Sequence, residues 1–285
     1  MRALNLHSCL SPQIENFINL HRLSGSDYQS QAQLLGYFDR FLFDQELCKP
    51  RIIPEITDRY QQSLSHLAPR TRYNRFCVVK QLCEYLVRSD PLSYVPEPLK
   101  ALPSQGAHQP YIYSKSEIQS LLAAASELPP ENSLRPHTYR TLLGLLYSTG
   151  IRIGEAMALN LEHFHSTEGR LFIAEGKFRK ARWAPLSDST CRALEQYVRK
   201  RLKTRPRSPD DPLLLNQRSH RLHHCTVNQS FRHLLRQCGI HHSRQTGPRI
   251  HDLRHTFAVH RLLAWYRDGQ DVNVRLPWLA TYMGH

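Results

Sequence analysis

Residues 251–258 read HDLRHTFA, a stretch whose spacing is typical of a helix. In a helix, Leu253 and Phe257 form one row that suits a hydrophobic core. His251, Arg254 and His255 then stand at positions i, i+3 and i+4 and share an adjacent face. An arginine binds two phosphate oxygens as a fork, and a histidine can donate a hydrogen bond to a third. The stretch therefore predicts a groove that binds phosphate, with an exposed basic helix as the alternative.

A second candidate anion site lies in residues 148–156, which read STGIRIGEA. Gly150 predicts the end of one helix, and Arg152 stands at the start of the next. The free backbone N–H groups and the positive dipole end of that second helix favour an anion. Glu155 can pair with Arg152 because it lies three residues further on. The alternative is an arginine that only closes a turn.

Two short alternating segments lie between these stretches, and they predict a β-hairpin. Residues 170–174 read RLFIA and residues 182–186 read RWAPL, and the connecting residues 175–180, EGKFRK, form a turn with a net positive charge. Lys177 in this turn could reach a nucleic-acid groove or donate a proton. Arg179 and Lys180 are candidate DNA contacts beside it. The last residues, 279–285, read LATYMGH and predict a short helix that is followed by the imidazole of His285.

The rest of the chain predicts helices, so the predicted fold class is mainly α with a small antiparallel β-sheet. Ser114 with Glu117 predicts a capping box at one helix start. The predicted helices are Ser11–Leu23, Tyr28–Gln45, Pro54–Ser63, Pro69–Arg88, Ser114–Glu127, Pro136–Ser148, Ile153–Leu159, Ser189–Lys203, Thr226–Gln237, Asp252–Arg267 and Pro277–Met283. A proline-containing stretch without periodicity, residues 91–107, predicts a linker. We therefore expect two domains, 1–105 (helical, with the linker) and 106–285.

The charge is strongly basic and unevenly distributed. The chain has 38 basic and 24 acidic residues, a net charge of +14. Residues 1–105 contribute 12 − 10 = +2, and residues 106–285 contribute 26 − 14 = +12. This asymmetry predicts a polyanion, and specifically a nucleic acid, as the partner. The candidate DNA contacts in the first domain are Arg70, Arg72, Arg75 and Lys80, although a solvated helix face is the alternative for them.

Composition excludes several other classes of protein. Hydrophobic residues make up 40% of the chain, which is too many for a disordered tail or a collagen. No apolar run approaches the roughly 18 residues that would predict a membrane span. The N-terminus lacks the pattern of a secretory signal. The seven cysteines form no C-x-x-C pair, as expected for reduced thiols. These features predict a cytoplasmic protein without a membrane partner.

Taken together, these stretches resemble the tyrosine recombinase family, also called phage-type integrases. Residues 149–156 are similar to the family's first-arginine box, and residues 251–258 closely match its H-x-L-R-H box. Residues 283–285, MGH, resemble the family's Leu-Gly-His, and Gly176-Lys177 stands where the family has a β-hairpin lysine. The motifs cover residues 111–285. Over residues 11–100 the resemblance is architectural, to a helical core-binding (SAM-like) domain.

The resemblance implies a role for each motif residue in the reaction. Arg152, Arg254 and His285 would contact non-bridging oxygens of the scissile phosphate. His251 would assist proton transfer, and Lys177 would donate a proton to the leaving 5′ oxygen. A tyrosine would attack phosphorus and hold the strand as a 3′-phosphotyrosine, which retains the bond energy for religation. The implied partners are double-stranded DNA and further copies of the chain in a dimer or tetramer. No cofactor or metal is implied.

The chain also departs from the family pattern. The family's nucleophilic tyrosine lies a short way beyond the Gly-His, whereas this sequence stops at His285. Tyr147, Tyr266 and Tyr282 are all misplaced for that role. We therefore expect a catalytic domain that is truncated before its nucleophile and a chain that is inactive as given. The interval between Arg254 and His285 is also longer than in the family, which predicts an insertion near residues 267–271.

Three alternatives remain open from the sequence. One is a DNA-binding fragment or regulator without catalysis, and another is a helix-turn-helix regulator, which would not need Lys177 or His251. The third is a metal site, for which the sequence offers ligands without a recognisable spacing. Those ligands are His223, His224, Cys225, Cys238, His241 and His242.

Overall fold

The computed structural model describes residues 4–47, 49–99, 109–174, 181–206, 211–240 and 247–284. The chain divides into two compact units, Met1–Ala107 and His108–His285. Within the described residues, no helix is both long enough and apolar enough to cross a membrane.

The first unit is built from helices around one hydrophobic core. Its helices are α1 (Ser11–Leu23), α2 (Gln29–Asp44), α3 (Pro54–Ser63) and α4 (Pro69–Leu86). Pro54 and Pro69 are each the first residue of a helix. Proline suits this position because an N–H there would have no partner within the helix. Phe38 and Leu82 are fully buried in the core. Asp39 is buried among them and accepts hydrogen bonds from the backbone of His7 and Ser8, so it ties the N-terminal segment to α2.

The second unit combines helices with a small sheet. Its helices are α5 (Lys115–Ser126), α6 (Leu134–Thr149), α7 (Ile153–Ala158), α8 (Asp188–Thr204), α9 (His224–Gln237), α10 (Asp252–Arg267) and α11 (Val272–Met283). The predicted fold class, mainly α with a small antiparallel sheet, is confirmed. The functional roles that the sequence assigns to residues 1–105 and 106–285 stay predictions.

The sheet has one more strand, among the described residues, than the sequence predicted. Its order is β1 (Phe164–His165), β2 (Arg170–Ile173) and β3 (Arg182–Pro185), with antiparallel neighbours. Leu171 pairs with Ala184, and both are buried on the inner face. Trp183 and Arg182 therefore point to opposite faces of β3, because successive side chains in a strand alternate.

Helices α10 and α11 end this unit and pack against each other. Helix α10 has the predicted bounds, Asp252–Arg267, and packs on α6. Helix α11 begins at Val272, five residues before the predicted start, with Pro277 inside it. The predicted start at Pro277 is too late, because the helix is capped at Asp271, whose side chain accepts a hydrogen bond from the Asn273 N–H.

Candidate active site

The junction between α6 and α7 positions Arg152. Gly150 ends α6 in the left-handed region, with φ of 62°, and a Cβ atom there would lie 2.3 Å from Cδ1 of Phe257. Only a glycine fits this close approach to α10. Two residues later, Arg152 is the N-cap of α7. Its backbone N–H donates to Oε2 of Glu155 at 2.9 Å, and its Nη1 donates to Oε1 of the same carboxylate at 2.8 Å.

Arg254 projects from the first turn of α10 into the interior. Only 4% of the residue is exposed. Its Nη1 donates to the carbonyl oxygen of Gly150 at 2.6 Å, and its Nη2 donates to that of Met283 at 2.7 Å. Arg254 thus joins the end of α6 to the end of α11, 104 residues and 29 residues away in the sequence.

The last turn of α11 brings the guanidinium groups together. The carbonyl oxygens of Tyr282, Met283 and Gly284 are among those that a helix end leaves without an intrahelical partner. Arg182 donates to the Tyr282 oxygen at 3.1 Å, Arg254 to Met283 and Arg152 to Gly284 at 2.9 Å. Positive charge is favourable at this negative end of the helix dipole.

Glu155 balances part of this charge. The side chain is 4% exposed and receives a fork from Arg182, with Nη1 to Oε1 at 3.1 Å and Nη2 to Oε2 at 2.7 Å. Burial by itself would raise the pKa of Glu155, but the hydrogen bonds from Arg182 and Arg152 outweigh that effect and hold the pKa below its ordinary value. Glu155 is therefore a carboxylate at neutral pH.

The cluster retains an excess of positive charge. Among the described residues, Arg152, Arg182 and Arg254 carry three positive charges against the single negative charge of Glu155. Burial, together with the neighbouring Arg152 and Arg182, lowers the pKa of Arg254 to about 10, although Glu155 acts in the opposite direction. A buried excess of like charge favours an arriving anion.

His251 and His255 lie beside this cluster at the start of α10. Their ring centroids are 5.3 Å apart, with the rings perpendicular. His251 is exposed as a residue, yet its ring is partly desolvated. That desolvation, together with His255 and Arg254, lowers the pKa of His251 below its ordinary value. Its imidazole is therefore neutral at pH 7 and able to accept a proton.

Comparison with known proteins identifies the family. The model described as the phage integrase family matches residues 112–275. The integrase/recombinase y4rB of Sinorhizobium fredii (strain NBRC 101917 / NGR234) is 34% identical over 278 residues, which cover 95% of this chain and 88% of y4rB. This chain belongs to the phage integrase family. The family resemblance that the motifs indicated is confirmed.

Two further comparisons agree with this result. Tyrosine recombinase XerD of Caulobacter vibrioides (strain ATCC 19089 / CIP 103742 / CB 15) is 30% identical over 236 residues, which cover 81% of this chain and 72% of XerD. A crystal structure of a lambda integrase tetramer bound to a Holliday junction superposes with a TM-score of 0.63. The two sequences are 12% identical, and the match covers 97% of this chain and 77% of the lambda integrase chain. It therefore shows that the two proteins share a fold.

The other predicted site residues of the second unit, two of the motif residues and two DNA contacts, lie outside the described part of the chain. Lys177, Arg179 and Lys180 fall within residues 175–180, and His285 follows Gly284. The structure thus brings Arg152 and Arg254 together beside His251, while the roles of all the motif residues stay predictions. Arg182 was not among the site residues predicted from the sequence. Its pairing with Glu155, 27 residues away, leaves no local pattern to recognise.

The predicted DNA contacts of the first unit lie on α4. Arg70 is exposed, and Arg72 is half-buried. The guanidinium carbon of Arg75 lies 4.7 Å from the ring centroid of Tyr37, and Lys80 forms an ion pair with Glu84. The Tyr37 ring thus positions Arg75 without neutralising its charge, whereas Glu84 offsets the charge of Lys80.

Neither Tyr282 nor Tyr147 presents an available hydroxyl to the arginine cluster. The Tyr282 hydroxyl donates to the carbonyl oxygen of Pro185 at 3.0 Å, and burial raises its pKa to about 12. The Tyr147 hydroxyl lies 3.0 Å from Nδ1 of His260. Tyr266 is 76% exposed on α10. That none of the three is the nucleophile stays a prediction.

The described residues also bear on the alternative of a metal site. No group of three or more His, Cys, Asp or Glu side chains with the arrangement of a metal site occurs among them. His241 and His242, two of the proposed ligands, lie outside the described residues.

Proposed function

We propose that this chain is a site-specific DNA recombinase that breaks and rejoins DNA through a 3′-phosphotyrosyl intermediate. The observation that carries the proposal is the convergence of Arg152 and Arg254 on the last turn of α11, with more positive charge than Glu155 can neutralise. The names of its relatives, integrase/recombinase and tyrosine recombinase, support the same reaction.

The arrangement suits the transition state of phosphoryl transfer. A five-coordinate phosphorane carries more negative charge on its non-bridging oxygens than the phosphodiester does. Arg152 and Arg254 are fixed in advance by Glu155 and by carbonyl oxygens, so they need not reorganise when this charge develops. Such groups stabilise the transition state more than the ground state, and removal of one typically raises the barrier by about 3–4 kcal/mol.

Proton transfer completes the reaction. The neutral His251 would accept or share the proton of the attacking hydroxyl, since its pKa is below the ordinary value. By the family resemblance, Lys177 would donate a proton to the leaving 5′ oxygen, and His285 would contact the phosphate. The nucleophile would be a tyrosine other than Tyr147, Tyr266 and Tyr282.

We propose double-stranded DNA as the partner, with several copies of the chain acting together. The lambda integrase structure is a tetramer on a Holliday junction, and this chain shares its fold. The net charge of +14 supports contacts to the phosphate backbone. Residues 1–105 would bind DNA, residues 106–285 would carry the reaction, and the chain would act in the cytoplasm.

The test is covalent capture of DNA. A duplex selected by this chain from a random library is nicked near its centre and incubated with the 285-residue chain and with any longer product of the same gene. We expect the duplex to be retained and a denaturant-resistant adduct to form with the protein that carries the nucleophilic tyrosine. Arg254→Ala in that protein should abolish the adduct while DNA retention persists. Undiminished cleavage by that variant would refute the catalytic role of Arg254.

A second function, DNA binding without cleavage, is favoured by the engaged hydroxyls of Tyr147 and Tyr282. It makes a different prediction for the same assay. Both proteins would then retain the duplex, and neither would form an adduct. A helix-turn-helix regulator would in addition tolerate alanine at both Arg152 and Arg254 without losing its site preference.

A further inference from the structure

Every nitrogen of the Arg182 guanidinium is bound to protein. Nε donates to the carbonyl oxygen of Tyr282 at 3.1 Å, Nη1 to Oε1 of Glu155 at 3.1 Å and Nη2 to Oε2 at 2.7 Å. The side chain is 13% exposed. Arg182 is therefore directed inward, to a carboxylate and a helix end.

Glu155 passes the position of Arg182 on to Arg152. Each carboxylate oxygen accepts one hydrogen bond from Arg182 and one from Arg152, which uses its backbone N–H and its Nη1. The two parallel hydrogen bonds from Arg182 fix the orientation and the position of the Glu155 carboxylate. Without it, Glu155 would be held from the Arg152 side alone, and burial would favour its protonation.

Gly284 leaves the space that Arg182 occupies. A Cβ atom on Gly284 would lie 2.9 Å from Cζ and from Nη1 of Arg182, closer than real Cβ contacts come. The residue also has φ of 75°, which a glycine adopts without strain. The glycine before His285 is therefore matched to a guanidinium on β3, and the two residues are 102 positions apart by numbering (284 − 182).

We propose that Arg182 is a positioning residue of the recombinase site. It acts through Glu155 on Arg152 and through the Tyr282 carbonyl on the turn that leads into His285. This inference rests on the proposed function. It adds a third guanidinium to the site, one that never touches the phosphate. The neighbouring strand offers a matched control, Arg170, which pairs with Glu168 and stacks on Trp183 on the opposite face of the sheet.

The first test needs no strand cleavage. Amide hydrogen exchange is measured by mass spectrometry on the 285-residue chain, in the peptide that contains the Gly284 N–H, which donates to the Thr281 oxygen at 3.0 Å. We expect at least tenfold faster exchange there in Arg182→Gln and in Gly284→Ala, and no change in Arg170→Gln. The proposal would be overturned if Arg182→Gln unfolds in urea like the parent and its Gly284 peptide exchanges at the same rate as the parent's.

The second test separates positioning from general stability. Adduct formation is measured at saturating DNA in the protein that forms the adduct. A displacement of about 1 Å in a catalytic group costs roughly 100-fold in rate. We expect a loss of that size in Arg182→Gln, with DNA affinity retained. Arg182→Lys should not restore the rate, because an ammonium cannot fork the Glu155 carboxylate.

A double-mutant cycle with Arg152 gives the decisive readout. Because Arg182 acts in part through Arg152, Arg182→Gln should cause a smaller loss of rate in an Arg152→Ala background than in the parent protein. A full second loss of about 100-fold would show independent action and overturn the proposal. Absence of an adduct from the parent protein refutes the proposed function alone, since the exchange experiment still decides whether Arg182 holds the turn.

Discussion

Gly150 ends α6 with φ of 62°, and its carbonyl oxygen accepts a hydrogen bond from Nη1 of Arg254 at 2.6 Å. An alanine here would be strained, and its Cβ would meet the Phe257 ring at 2.3 Å. We expect Gly150→Ala to lower the free energy of unfolding by about 2–4 kcal/mol, from backbone strain plus overpacking. Urea denaturation measures this loss.

Gly154, four residues away, is the matched control. A Cβ there would meet nothing within 4 Å, and the residue lies inside α7. Gly154→Ala should be neutral or slightly stabilising, because alanine is the better helix former. An equal loss at both positions would mean that contact with α10 is not what requires a glycine at residue 150.

The pKa of His251 gives a second prediction at this scale. Desolvation, His255 and Arg254 lower it, while Asp252 raises it. Since the electrostatic effect of His255 lowers the pKa of His251, we expect His255→Gln to raise this pKa toward its ordinary value. Titration of the ring signals by NMR measures the shift. His260, whose pKa is lowered by burial and by Lys115 and Arg267, should not move in this variant. An unchanged or lower pKa for His251 would contradict the prediction.

At the scale of elements, α5 begins with the capping box that the sequence predicted. Oγ of Ser114 accepts from the Glu117 N–H at 3.1 Å, and Oε2 of Glu117 accepts from the Ser114 N–H at 2.7 Å. Ser114→Ala should lower the free energy of unfolding by about 1 kcal/mol, whereas Ser114→Asp should retain most of it, because aspartate also caps. Urea denaturation compares the two variants, and an equal loss in both would exclude capping as the cause.

Elements with local signals were predictable, and those without were not. Proline and capping residues set the starts of α3 and α5 correctly, and helical periodicity gave α10 its exact bounds. β1 is a two-residue strand, Phe164–His165, too short to show alternation. Arg152 and Arg254 stand in recognisable motifs. Arg182 is defined instead by contacts with Glu155 and with Tyr282, 100 residues away, which exist only after folding.

At the scale of the whole molecule, charge predicts how DNA binding responds to salt. The net charge is +14, and residues 106–285 carry +12 of it by the count above. A protein that neutralises phosphates releases counterions, so its affinity falls linearly on a logarithmic scale with salt concentration. The chain should therefore lose roughly 10³–10⁵ in affinity for duplex DNA between 50 and 200 mM salt, if it makes 6–10 phosphate contacts.

The same salt dependence tests the predicted DNA contacts on α4. The variant replaces Arg70, Arg72, Arg75 and Lys80 with glutamine. If each side chain meets one phosphate, the slope of log affinity against log salt should fall by about 3–4, since each contact contributes roughly 0.9. The control replaces Arg22, Arg40, Arg59 and Arg88 and removes the same charge from the same unit. Fluorescence anisotropy over a salt series measures both. If the two slopes fall equally, the total charge of the protein governs DNA binding, and the α4 face has no special role. If the slope falls only in the α4 variant, the α4 side chains contact the DNA phosphates directly.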